Sequence, residues 1–80
     1  MNARNAVKQR IFNLCEVRNI TINKLGTICG ITQSTLNNIM NTGRNNPTIS
    51  TIAKICDGLE ITIREFFDDD MFDDIEQEIK

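Results

Sequence analysis

Histidine is absent from this chain of 80 residues. That removes the commonest general base and half of the usual zinc ligand repertoire. The three cysteines, Cys15, Cys29 and Cys56, are odd in number, and no two stand at Cys-x-x-Cys spacing. No four-ligand metal site can be assembled from them. Each falls on the apolar stripe of a predicted helix, where a free thiol acts as a small hydrophobe. No run of 18 apolar residues is present, which excludes a membrane-spanning helix. The first ten residues, Met1 to Arg10, lack the apolar core of a secretory signal, so a cytoplasmic protein is expected. There is no glycine-rich phosphate loop and no nucleophile–base pair, so an enzyme is not expected and no cofactor or metal is implied.

What is present suits one small globular domain. The chain is long enough for a single modest core, and 40% of its residues are hydrophobic. The net charge of −2 hides an asymmetry. Residues 1–56 hold seven bases and one acid, net +6, whereas residues 57–80 hold two bases and ten acids, net −8. A local basic patch can attract phosphate whatever the total charge. The acidic segment is not expected in such a footprint.

Apolar residues recur at spacings of three and four, so the pattern is helical throughout. Val7, Ile11, Leu14 and Cys15 give a first helix over roughly residues 3–18, with Asn2 or Asn5 as cap and Arg18 at its end. Thr21 caps a second helix whose inward residues are Leu25, Ile28 and Cys29. Gly26 lies inside that helix at a cost of about 1 kcal/mol relative to alanine, which points to close approach of the next helix. Gly30 ends it in a left-handed conformation. Ile31 packs under the turn and Thr32 caps a third helix anchored by Leu36, Ile39 and Met40. Gln33, Ser34, Asn37, Asn38 and Asn41 occupy the opposite face. A loop from Asn41 to Pro47 follows. Thr48 then caps a fourth helix with the stripe Ile49, Ile52, Ala53, Ile55, Cys56 and Leu59. Thr62 and Glu65 form a capping box for a fifth helix closed by Ile63, Phe66 and Phe67. Met71, Phe72, Ile75 and Ile79 predict one more short amphipathic helix, marginal unless it lies on something.

Two short capped helices joined by a tight glycine turn form the unit that lays one helix in the DNA major groove. The residues from Ile11 to Phe67 resemble the lambda-repressor-like, Cro-type helix-turn-helix regulators of bacteria and phages, the XRE family. The resemblance is carried by Ile11 and Leu14; Ile20-Thr21; Leu25-Gly26; Gly30-Ile31-Thr32; Ser34-Thr35-Leu36 with Ile39; Gly43 to Thr48; Ile52, Ile55 and Leu59 to Thr62; and Phe66-Phe67. It implies an all-α, compact five-helix domain over residues 1–67, with an acidic tail over 68–80. It also implies a homodimeric repressor on a palindromic operator. Three positions depart from the family pattern. Ile22 replaces a glutamine that grips a phosphate. Cys15 replaces a basic residue. Glu60 stands where a glycine often ends the fourth helix, so a left-handed glutamate is expected there.

The third helix would read bases through Gln33, Ser34, Asn37 and Asn38. Glutamine and asparagine can bond N6 and N7 of adenine together. The helix has no arginine or lysine, the usual partners of guanine, so A·T pairs are favoured. Thr21, Asn23, Lys24, Thr35, Arg44, Asn45 and Asn46 would hold phosphates. Few of these are cationic, so the salt dependence of binding should be shallow. Alone, Asn37, Asn38 and Asn41 read as a merely solvated face. Asparagine is a poor helix former, however, and solvated faces are normally filled with glutamate and lysine. An uncharged amide face is what a base-reading helix needs.

Two readings of the tail follow. Met71, Phe72, Ile75 and Ile79 are expected to pair with the same stripe of a second subunit, because the five-helix core already has its own closing residues; the alternative is that they fold back on their own domain. The competing function is a protein-binding module of the antitoxin or anti-repressor type, using the acidic tail.

Overall fold

The computed structural model describes residues 2–42 and 47–76, with only the backbone described at Thr42. Five α-helices follow in order: α1 Ala3–Val17, α2 Ile22–Cys29, α3 Gln33–Asn37, α4 Ile49–Leu59 and α5 Ile63–Phe66. A π-helical turn, Asn38–Thr42, continues α3, and a 3-10 turn, Asp70–Asp74, follows α5. No strand is present among the described residues. Ala6, Ile11, Leu25, Leu36, Ile55 and Phe66 are completely buried, so every α-helix contributes to one core.

The same three-residue device separates the helices at three places. Asn19-Ile20-Thr21, Gly30-Ile31-Thr32 and Glu60-Ile61-Thr62 each stop one helix and start the next. The first residue is left-handed, with φ of 57°, 69° and 58° at Asn19, Gly30 and Glu60. The isoleucine then donates its N–H back across the helix end, Ile20 to Cys15 O (3.0 Å), Ile31 to Gly26 O (2.9 Å) and Ile61 to Cys56 O (2.9 Å). Those bonds satisfy carbonyls that the helix leaves without partners, and the isoleucine side chain covers the core. The threonine then accepts the N–H three residues on, from Lys24 (3.1 Å), Thr35 (3.2 Å) and Glu65 (3.0 Å). Thr48 caps α4 in the same way, accepting from Thr51 N at 3.1 Å. Asn2, rather than Asn5, caps α1.

Two glycines set how closely the helices approach. A Cβ on Gly26 would stand 2.7 Å from Leu36 Cδ1 and 3.1 Å from Ile31 O, so α2 and α3 meet backbone to side chain. A Cβ on Gly58 would overlap Cys29 Sγ and lie 3.0 Å from Cys29 Cα, which fixes α4 against the end of α2.

Three isoleucines expected inside are exposed. Ile28 is 42% accessible, Ile49 66% and Ile63 43%. The buried arc of α2 is Ile22, Leu25, Gly26 and Cys29, at offsets of three, four and seven, and Ile28 falls beside it. Ile49 and Ile63 are each the first helical residue after a capping threonine. Their turns lie at the edge of the domain, where the stripe continues past the core.

The tail differs from the expected amphipathic helix. Its described part is the 3-10 turn, after which Ile75 is extended and Glu76 pairs with Asn2 in an isolated parallel bridge. Five aspartates between Asp68 and Asp74 oppose a helix by propensity and mutual repulsion. Phe72 instead enters a ring cluster, 4.9 Å from Phe67 and 6.4 Å from Phe66 between centroids. Asp69 accepts the N–H of Met71 (3.0 Å) and lies 3.6 Å from Arg10. Met71 and Ile75 are half-buried, and Ile79 lies outside the described residues. Phe72 thus packs against the core of its own chain.

Candidate nucleic-acid interface

The turn at Gly30 brings the N-termini of α2 and α3 to one side of the domain. Leu36, Ile39 and Met40 are 0%, 4% and 5% accessible, and they pin the inner face of α3 and its π turn. The opposite face is left to solvent. Gln33, Ser34, Asn37, Asn38 and Asn41 are all exposed, as are Thr21, Asn23, Lys24 and Thr35. Arg44, Asn45 and Asn46 lie outside the described residues.

The two helix starts are tied together by side chains. Gln33 Nε2 donates to Asn23 Oδ1 at 2.6 Å. This bond uses one of the two hydrogens on Gln33 Nε2 and neither lone pair of its Oε1. The second hydrogen and the carbonyl remain, which is the pair needed for N7 and N6 of adenine. Ile22 is half-buried against the core. Asn23, one residue on, is exposed and supports Gln33. No spacing in the sequence announced this contact, because the partners are ten residues apart and belong to different helices.

Thr35 keeps its hydroxyl proton for a phosphate: its N–H donates to Thr32 Oγ1 at 3.2 Å, and its Oγ1 accepts from Thr32 Oγ1 at 2.9 Å. Thr21 Oγ1 accepts the N–H of Lys24 as the cap of α2 and likewise keeps its proton, and the amides of the first turn favour an anion. Lys24 is the exposed cation beside them. Of the other basic residues, Arg10 is half-buried and engaged with α5. Its Nε and Nη2 donate to the carbonyls of Phe66 (2.7 Å) and Glu65 (2.8 Å), closing the C-terminus of α5.

Burial pushes the thiols of Cys15, Cys29 and Cys56 up, with smaller contributions at Cys29 from Cys15, Asp57 and Cys56. A thiol held protonated is a poor nucleophile. All three are free, as the sequence suggested. An open hollow of about 270 Å³ lies behind Thr21, lined by Phe12, Cys15, Glu16, Ile20 and Ile22, with no pair of catalytic groups in it. Among the described residues no cluster could hold a metal ion, and no helix is long and apolar enough to cross a membrane.

The comparisons with known proteins agree with this geometry. The Cro/C1-type helix-turn-helix DNA-binding domain matches residues 10–70. The crystal structure of the prophage Lp1 protein 11 is similar, with 38% identity and a TM-score of 0.79, over 86% of this chain and 92% of that one. No protein with a curated description matches. With most of its length matched, the chain belongs to the Cro/C1-type helix-turn-helix family of DNA-binding regulators.

Proposed function

We propose that the protein is a sequence-specific repressor that reads its operator through Gln33, Ser34, Asn37 and Asn38. The observation that carries this reading is the outward amide of Gln33, held by Asn23 at 2.6 Å. A glutamine whose rotamer is fixed before binding loses less entropy on docking and discriminates better than a free one. Thr21, Asn23, Lys24 and Thr35, with Arg44, Asn45 and Asn46 of the following loop, are assigned to the phosphates. Bound at its operator, the domain would repress by excluding other proteins from the DNA.

The protein acts as a homodimer on a palindrome. The five-residue α3 with its π turn offers a small footprint, and two copies about a twofold axis double it, with half-sites about 34 Å apart. The dimer reading rests on that footprint rather than on the tail. Phe72 is engaged by Phe66 and Phe67 of its own chain.

Selection of bound fragments from random duplex DNA tests the proposal. The expected result is an A·T-containing palindrome that Gln33→Ala with Asn38→Ala no longer binds. Absence of any preferred duplex would overturn it. Retention of a protein ligand by the double variant, together with loss of DNA, would separate the alternative role of the acidic tail. Sedimentation of the full chain with a half-site and a full palindrome reports the subunit count.

A further inference from the structure

Gln33, Asn37 and Asn41 stand at intervals of four and form one row along the exposed side of α3 and its π turn. Residues four apart are neighbours on a helix surface. Asn41 lies one turn beyond Asn37, within the π turn Asn38–Thr42, and its Nδ2 donates to Asn37 Oδ1 at 3.2 Å. Both residues are exposed, and Ile39 and Met40, which hold the turn to the core, are buried.

That bond fixes which way each amide points. Asn37 accepts through its oxygen, so both hydrogens of its NH₂ are left for a base. Asn41 donates one hydrogen of its Nδ2, so its Oδ1 and the second hydrogen are left. We infer that Asn37 and Asn41 act as one reading unit in which Asn41 is a further specificity-determining residue. The unit presents an N–H donor from Asn37 beside a carbonyl acceptor from Asn41. Adenine carries the complement in the major groove, N7 as acceptor and N6 as donor. Guanine offers two acceptors there and leaves the Asn41 carbonyl facing O6. This inference rests on the DNA-reading function proposed above and extends the reading surface one turn beyond the α-helical segment.

The test is a double-mutant cycle on the full chain, with Asn37→Ala, Asn41→Ala and the pair, each subjected to selection from random duplex DNA. Because a well-made pair of bonds discriminates a base by about fivefold or more, each single variant should relax the preference at the same base pair by at least roughly that factor. The double variant should relax it no further, since either change dissolves the unit. Thermal melting checks that the exposed substitutions leave the fold intact. Asn41→Asp is a second variant that keeps the oxygen but cannot donate to Asn37, and it should lose the same preference. Three results would overturn the inference: additive losses, losses at different base pairs, or an even fall in affinity for all sequences. A wild-type chain that selects its operator while Asn41→Ala selects the same one sinks the inference alone. A wild-type chain that selects nothing sinks the underlying reading with it.

Discussion

Gly26 lies against Leu36 so closely that a methyl group on its Cα would sit 2.7 Å from Leu36 Cδ1. Leu36 is completely buried and is the main anchor of α3, so the space beside Gly26 sets where the reading helix sits. Gly26→Ala adds helix propensity of about 1 kcal/mol, but overpacking costs about 1–3 kcal/mol. The expected result is a net loss of roughly 1 kcal/mol in urea unfolding. Because α3 shifts, operator affinity should fall by roughly tenfold, the worth of one lost base contact. Unchanged affinity would show that the close approach does not govern docking.

Arg10 joins the beginning of the chain to its end. Its guanidinium closes the carbonyls of Glu65 and Phe66 and faces Asp69, with its side chain 17% accessible. Bonds to a charged donor contribute about 1.5–3 kcal/mol, so Arg10→Met should lower the melting temperature by on the order of 10 °C. It should also raise the rate of proteolysis after α5. DNA affinity at low temperature should stay the same, since Arg10 does not face the reading helix's outer surface.

Glu60 ends α4 at φ 58°, a left-handed conformation that costs a side-chain-bearing residue about 1 kcal/mol. Glu60→Gly should therefore stabilise the protein by about 0.5 kcal/mol after the greater freedom of glycine in the unfolded chain is subtracted. The melting temperature should rise by a few degrees. Asn19, at φ 57°, should respond less to the same change, because asparagine tolerates this region. A Glu60→Gly variant that melts lower would mean its side chain does something the backbone does not explain.

Glu65 is the acidic half of the capping box and accepts the N–H of Thr62 at 2.9 Å. Hydrogen bonds from the Thr62 backbone and then its side chain hold the Glu65 carboxyl below the ordinary glutamate value. A depressed folded value means the bond stabilises the protein fully above the unfolded-chain value. That contribution fades as the pH falls from there through the folded value. Glu65→Gln keeps an acceptor that does not titrate, so its acid unfolding should be shallower over that window. Superimposable acid transitions would remove the box from the account.

The starts and stops of the helices were legible in the sequence. Thr21, Thr32, Thr48 and Thr62 cap as expected, Gly30 is left-handed, and even the strain at Glu60 was foreseeable. The recurrence of a left-handed residue, an isoleucine and a threonine at 19–21, 30–32 and 60–62 is masked in the sequence, because asparagine, glycine and glutamate share its first position. The amide face of α3 was also legible, because Leu36, Ile39 and Met40 leave Gln33, Asn37 and Asn41 only the other side. Ile28, Ile49 and Ile63 share the apolar stripes of their helices and are nonetheless exposed. Periodicity says which residues share a face and not how far the core extends beneath it.

Sequence by itself determined the helical punctuation and the chemistry of the reading face. Caps and stops close through partners within five residues, so local order suffices to specify them. Tertiary structure alone decided that Asn23 meets Gln33, that Cys29 rests on Gly58, that Arg10 closes α5 and that Phe72 turns inward. Each of these joins separate elements of the chain, and only the packing of whole helices sets such distances.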